Sequence, residues 1–210
     1  MLKLALPATS LLLLTLLPAA QTPAAQTPAA QQPATDAPAY TAAGKLIAPA
    51  HYREWVYLTS GLDMSYTSPT APADIHTFDN VFVNPSAYRS FLATGTWPDK
   101  TTFVLEARSA QNPVSINKRG HTQSTEIMGT ELHVKDHGVW SFYDLPGGAS
   151  EADLIARPAN CYTCHEAHAA VDTTFVQFYP TLLPIATQKK TLSAEYLKEI
   201  TTPVPASPAK

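Results

Sequence analysis

The segment Asn160-Cys161-Tyr162-Thr163-Cys164-His165 holds both cysteines of a 210-residue chain, three positions apart, with a histidine directly after the second. Three chemistries use such a set. A redox dithiol places C-x-x-C at the start of a helix within a β-α-β frame. A structural zinc would take Cys161, Cys164, His165 and His168, but zinc sites draw their ligand pairs from separated segments so that four donors close a tetrahedron. Adjacent Cys164 and His165 point in different directions along one helix, which makes that closure awkward. In the third chemistry, two thioethers three residues apart reach the vinyl groups on one edge of a porphyrin, and the next histidine turns under the ring to bind iron. The dithiol lacks its frame here, because the motif lies late in the chain. The spacing favours the third use: one C-x-x-C-H motif, one haem c, with His165 as iron ligand.

The elements around the motif read as strands first, with helices at intervals and at the end. Residues 51–61 alternate Trp55 and Tyr57 with smaller or polar neighbours, as a half-buried strand does. A loop punctuated by Gly61, Pro69 and Pro72 follows, then a second strand ending at Asn84. Asn84 as cap, Pro85 at the first position and Gly95 at the end frame a helix, with Tyr88, Phe91 and Leu92 on one face. Residues 101–108 form a strong strand. A polar, irregular stretch follows up to residue 124, then two further strands over residues 130–136 and 138–145, ended by the turn at Pro146, Gly147 and Gly148. A capped helix is expected near Asn160 and another near Asp172. With no regular β-α-β alternation, this pattern predicts an α+β domain: an antiparallel β-sheet with a few helices, the haem motif riding on a C-terminal helix.

The N-terminus predicts export. Lys3 supplies a positive start, residues 11–17 an apolar run, and Ala19 and Ala20 a small-residue cleavage site, so residues 1–20 read as a signal peptide and the protein as periplasmic. The run is too short to span a bilayer, and a soluble protein without a membrane span is expected. Residues 21–43 contain repeats of QTPAA with almost no large apolar side chains, the composition of a disordered Pro/Ala/Gln tether. Residues 201–210 read as a frayed tail, leaving residues 44–200 as the folded domain. Fourteen basic against seventeen acidic side chains, with no basic block, give no sign of nucleic-acid binding.

Around the motif, YREWV (52–56), VFVNPSAY (81–88), GTWPDKTTFVLE (95–106), VKD (134–136) and CYTCHEAHAAVDTTFVQFYP (161–180) occur in this order. Together they resemble the cytochrome P-460 family, closest to its cytochrome c′-β branch. The resemblance implies an exported monohaem c protein on a mostly antiparallel sheet, commonly a homodimer. It implies Cys161 and Cys164 as the thioether positions and His165 as the axial iron ligand. The hydroxylamine-oxidising branch has a lysine cross-linked to the porphyrin from the strand after the turn. That position here is Leu105, and Lys100 lies five residues earlier, in the turn. The resemblance therefore implies a protein that binds nitric oxide or a similar nitrogen-oxide ligand, or exchanges electrons with a redox partner protein. Hydroxylamine oxidation is the alternative.

For the haem face opposite His165, Phe78, Phe82, Phe103 and Leu105 are the candidate lining, although each also fits ordinary packing of a half-buried sheet. An apolar lining would leave the iron five-coordinate and open to small, weakly polar ligands. Met64, in the loop after Gly61, is the rival sixth ligand, with Met128 a weaker one. His51, His76, His121 and His137 sit in polar contexts that read as solvated. His133 lies within a strand and can face either side, and His168, one turn beyond His165, reads as a surface residue.

Overall fold

Along residues 103–108, Phe103, Leu105 and Ala107 fall on one side of the strand and Val104, Glu106 and Arg108 on the other. That period of two lets one strand serve two different cores. The computed structural model describes residues 36–66 and 76–202. Seven strands pair into one antiparallel sheet: β1 (Leu46–Ile47), β2 (Val56–Leu62), β3 (Thr77–Val83), β4 (Thr102–Gln111), β5 (Thr122–Asp136), β6 (Val139–Asp144) and β7 (Glu151–Leu154), in the order β1-β7-β6-β5-β4-β3-β2. From β2 to β7 the strands form a meander, and β1 closes the far edge against β7. The expected α+β class is the one the chain adopts.

One face of the sheet carries Val83, Phe103, Trp140 and Phe142, which pack with Phe91, Trp97, Tyr162, Tyr179 and Leu182 from the helical segments. The other face carries Val104, Leu132, Val134 and Tyr143, covered by Leu46, Tyr52 and Ala152. Among the described residues, four α-helices follow in chain order: α1 (Pro85–Thr94), α2 (Asn160–His168), α3 (Leu183–Lys189) and α4 (Ala194–Thr201). Glycine is needed at one helix end. Gly95 closes α1 in the left-handed region at φ 78°, its N–H bonded to Phe91 O at 2.7 Å, and a Cβ there would lie 2.7 Å from Lys189 Cβ.

Several local expectations are corrected. Residues 52–54 form a 3-10 turn, and the strand starts only at Val56. The polar stretch expected to be irregular is largely strand: β4 runs to Gln111 and β5 starts at Thr122. The reason is a polar ladder between them, Ser109 Oγ to Ser124 Oγ at 2.5 Å and Gln111 Nε2 to Thr122 Oγ1 at 3.0 Å. No helix begins near Asp172. The chain instead makes a tight turn with Asp172 at φ 48° and Thr173 at φ 56°, closed by a bridge between Val171 and Thr174. Leu92, expected on the packed face of α1, is 40% exposed, and the buried side is Ala87 and Phe91.

Asn84 holds the N-cap position of α1, but its side chain is used elsewhere, accepting from Thr102 N at 2.8 Å and donating to Lys100 O at 3.1 Å. The cap is supplied by Asp36, whose carboxylate accepts from Ser86 N at 2.6 Å and Ser86 Oγ at 2.7 Å. Residues 36–43 therefore belong to the folded unit, with Ile47 N bonded to Ala39 O at 2.8 Å and Tyr40 bridged to Leu46. The expected signal peptide, most of the tether (residues 21–35) and residues 203–210 of the tail lie outside the described residues. Among the described residues, no helix is long and apolar enough to cross a membrane.

Candidate functional site

The strand register lays out the floor of the site. On the helix-covered face of the sheet, Val83, Phe103 and His133 stand side by side on β3, β4 and β5. Val81, Leu105 and Glu131 make the next row, and Asp79, Ala107 and Gly129 the one after. On β2, Leu58 is the extra residue of a bulge, so that Thr59 pairs with Val81 and joins this face. Opposite the floor stands α2 with the turn after it. Between them lies a cavity of about 350 Å3 whose lining includes Val81, Phe103, Leu105, Glu131 and His133 from the sheet, and Cys161, Cys164, His165 and Phe175 from the other wall.

Three of the five residues expected on the far side of the haem reach this cavity: Leu105, Phe103 and Met64. Phe78 and Phe82 do not. They sit at odd spacing from Asp79 and Val81, so the pleat turns them to the other face. There Phe82 packs edge-on against Tyr52 and Tyr57 at 5.6 and 5.7 Å. Met64 folds back over Gly61, where a Cβ would collide with its sulfur. Met128 is outside the cavity, accepting from Thr77 Oγ1 at 3.7 Å.

Both cysteines are free thiols and partly exposed. His165 is enclosed by rings, with centroids 4.1 Å from Phe175, 4.7 Å from Phe142 and 5.0 Å from His133. Burial, then the charge of His133, pushes its imidazole down to about 4, so it is neutral at physiological pH. Its Nδ1 lies 2.8 Å from Thr173 O. The carbonyl can only accept, so Nδ1 carries the proton and Nε2 is left with a free lone pair, the form in which histidine binds a metal. His168 points away, its Nδ1 3.0 Å from Glu199, and its side chain is exposed. Among the described residues no group of three His, Cys, Asp or Glu side chains is arranged to hold a metal ion.

Polar side chains enter this largely apolar cavity as well. Asp79, Glu131 and His133 also line it. Glu131 Oε2 lies 3.8 Å from His133 Nε2, and this contact holds the Glu131 carboxyl below the usual range against the opposing effect of burial. Burial, and then the charge of Glu131, raises Asp79. At the mouth, Tyr66 packs on Phe175 and Phe178, at 5.5 and 6.4 Å between ring centroids. Sequence reading missed Asp79, Glu131 and Tyr66, and left open which side His133 faces. Glu131 and Asp79 were within reach of it, because both fall at even spacing in strands on either side of Leu105.

Among the described residues, no lysine or arginine lines the cavity. Lys100 pairs with Asp136 in the turn, and Lys118 Nζ donates to Ser115 O at 2.6 Å. No curated protein matches the chain. The Cytochrome P460 family profile matches residues 49–176, which takes in β2 to β7 and the whole C-x-x-C-H segment. The chain thus belongs to the cytochrome P460 family, and a haem is the cofactor that this membership implies.

Proposed function

We propose that this is an exported monohaem c protein in which Cys161 and Cys164 hold the haem covalently and His165 ligates its iron. The other axial position would then take nitric oxide or a similar small ligand within the cavity floored by Leu105. One observation carries the reading: both thiols and the imidazole line a single cavity, and the Thr173 carbonyl occupies Nδ1 of His165 so that Nε2 is the free donor. The cavity fits the group, since aromatic and aliphatic side chains from both walls suit a flat, largely apolar ring. Bound there, haem would supply a redox-active iron able to take a small ligand. The chain's own part is to orient His165 through Thr173 and to exclude water with Val81, Phe103 and Leu105.

Leu105 favours the cytochrome c′-β side of the family, because its side chain faces the cavity at the position where the cross-linking branch has lysine. Met64, turned back on Gly61, supports a five-coordinate iron over methionine ligation. A second reading, hydroxylamine oxidation, is favoured by Asp79 and Glu131, which could accept substrate protons. Export rests on residues 1–20, outside the described residues.

The test is a denaturing gel stained for haem peroxidase activity, with an optical spectrum of the ferrous protein before and after nitric oxide. Retained haem, a high-spin spectrum and a shift on nitric oxide are expected. A Cys161→Ala/Cys164→Ala variant that kept its haem on the gel would overturn covalent attachment. A low-spin spectrum that turns high-spin in Met64→Ala would overturn the open axial site.

A further inference from the structure

We infer that Asp79 and Glu131 make the cavity a charge filter, disfavouring anionic ligands of the iron and admitting neutral ones. The inference rests on the haem reading above. Glu131 is the direct partner of Leu105 on β5, and Asp79 stands diagonal to Leu105 on β3. Cross-strand neighbours of these kinds lie about 5–8 Å apart, within the screening length of about 8 Å at physiological salt. A small ligand beside Leu105 therefore feels the charge of both carboxylates at physiological salt, and less of it as salt is raised.

Among the described residues, the basic side chains lining the cavity are His133, 3.8 Å from Glu131, and His165, which is neutral at physiological pH. At the end of β2, Asp63 adds a further negative charge facing Asp79, itself paired with His76 at 2.5 Å. The opposite shifts of the two carboxyls, Asp79 raised and Glu131 lowered, leave a full negative charge at Glu131 at neutral pH. An anion such as azide entering the cavity would bring its charge close to that carboxylate. Nitric oxide brings none. The two ligands thus differ here in charge as well as in size.

The experiment titrates the ferric holoprotein with azide and, separately, with nitric oxide, following the Soret band at pH 8, above the ordinary histidine range. In an Asp79→Asn/Glu131→Gln variant, azide should bind about tenfold more tightly, with nitric oxide affinity changed by less than about twofold. In the native protein, azide should bind more tightly as salt is raised from about 20 to about 500 mM. The salt series decides the matter by itself if the double variant fails to take up haem. A native azide affinity indifferent to salt, or azide and nitric oxide affinities that move together in the variant, would overturn the filter and leave the haem reading standing. A chain that holds no haem would overturn both.

Discussion

Lys135 and Asp172 form an ion pair at 2.6 Å that anchors the turn from which Thr173 reaches His165. Two successive non-glycine residues with positive φ, one of them β-branched, are a strained arrangement that persists only where surrounding contacts determine it. Here Lys135 Nζ supplies them, holding Asp172 Oδ2 and also Trp97 O at 2.8 Å. A lysine of the sheet fixes the turn, the turn aims a carbonyl, and the carbonyl fixes the imidazole.

Replacing Lys135 with Met should therefore alter the haem without releasing it. The N–H···O=C bond makes the histidine a stronger electron donor, which favours ferric iron. Once the turn is loosened, the midpoint potential should rise, while haem stays on the chain in a denaturing gel. Potentiometric titration of native and Lys135→Met proteins reads the change. An unchanged potential would show that the Val171–Thr174 bridge holds the turn unaided.

The cap on α1 comes from 50 residues upstream. Asp36→Ala removes an acceptor for Ser86 N–H and should lower stability by about 1 kcal/mol, the usual effect of losing an N-cap. A chain begun at Ala43 should lose at least as much, because it also lacks the bond from Ile47 N to Ala39 O. Urea unfolding of the three proteins tests this. Equal midpoints would return residues 36–43 to the role of a tether.

Glu106 is buried, accepting from Tyr52 OH, Arg53 and Arg108. Burial pushes its carboxyl up, but Arg108, Tyr52 and Arg53 outweigh burial and hold it below the usual range. A carboxyl depressed in the folded state contributes stability that is fully present above its unfolded value, about 4.5, and lost as pH falls through the folded value. Glu106→Gln should lower stability at pH 7 by about 1.5–3 kcal/mol, and its loss between pH 5 and about pH 3 should be shallower than in the native protein. Denaturant midpoints across that range would show it, and parallel curves would place the acid sensitivity elsewhere.

The C-x-x-C-H spacing made the wall of the site legible in sequence, because attachment chemistry leaves a rigid local pattern. The floor was harder to read. Phe78 and Phe103 look alike as aromatic residues in apolar strands, and only the pairing of β3 with β4 reveals that they face opposite sides. Leu105 was placed by the resemblance, and strand alternation on its neighbours would have turned attention to Glu131, but a charged side chain in a strand reads as solvent-facing until a neighbouring element covers it. Asp36 and Lys135 act across 50 and 37 positions of sequence respectively. No local pattern marks such long-range contacts.

The last prediction is that this protein does not oxidise hydroxylamine. A covalent bond from lysine to the porphyrin would distort the macrocycle, and that distortion is a lever on haem reactivity. Leu105, which faces the cavity between Val81 and Glu131, has no nucleophilic atom. Lys100 is tied to Asp136 in a turn and Lys118 to Ser115 O, and neither lines the cavity. Lys135 is on β5, one row beyond His133, with its ammonium engaged by Asp172 and Trp97 O. Asp79 and Glu131 could take up protons from a bound substrate, but a proton acceptor does not supply the missing bond. The purified holoprotein should have the mass of the mature chain plus one haem and show an ordinary haem c spectrum. It should give no hydroxylamine-dependent reduction of an added electron acceptor. A tryptic haem peptide joined to any lysine would reverse the conclusion and make Asp79 and Glu131 the residues to mutate next.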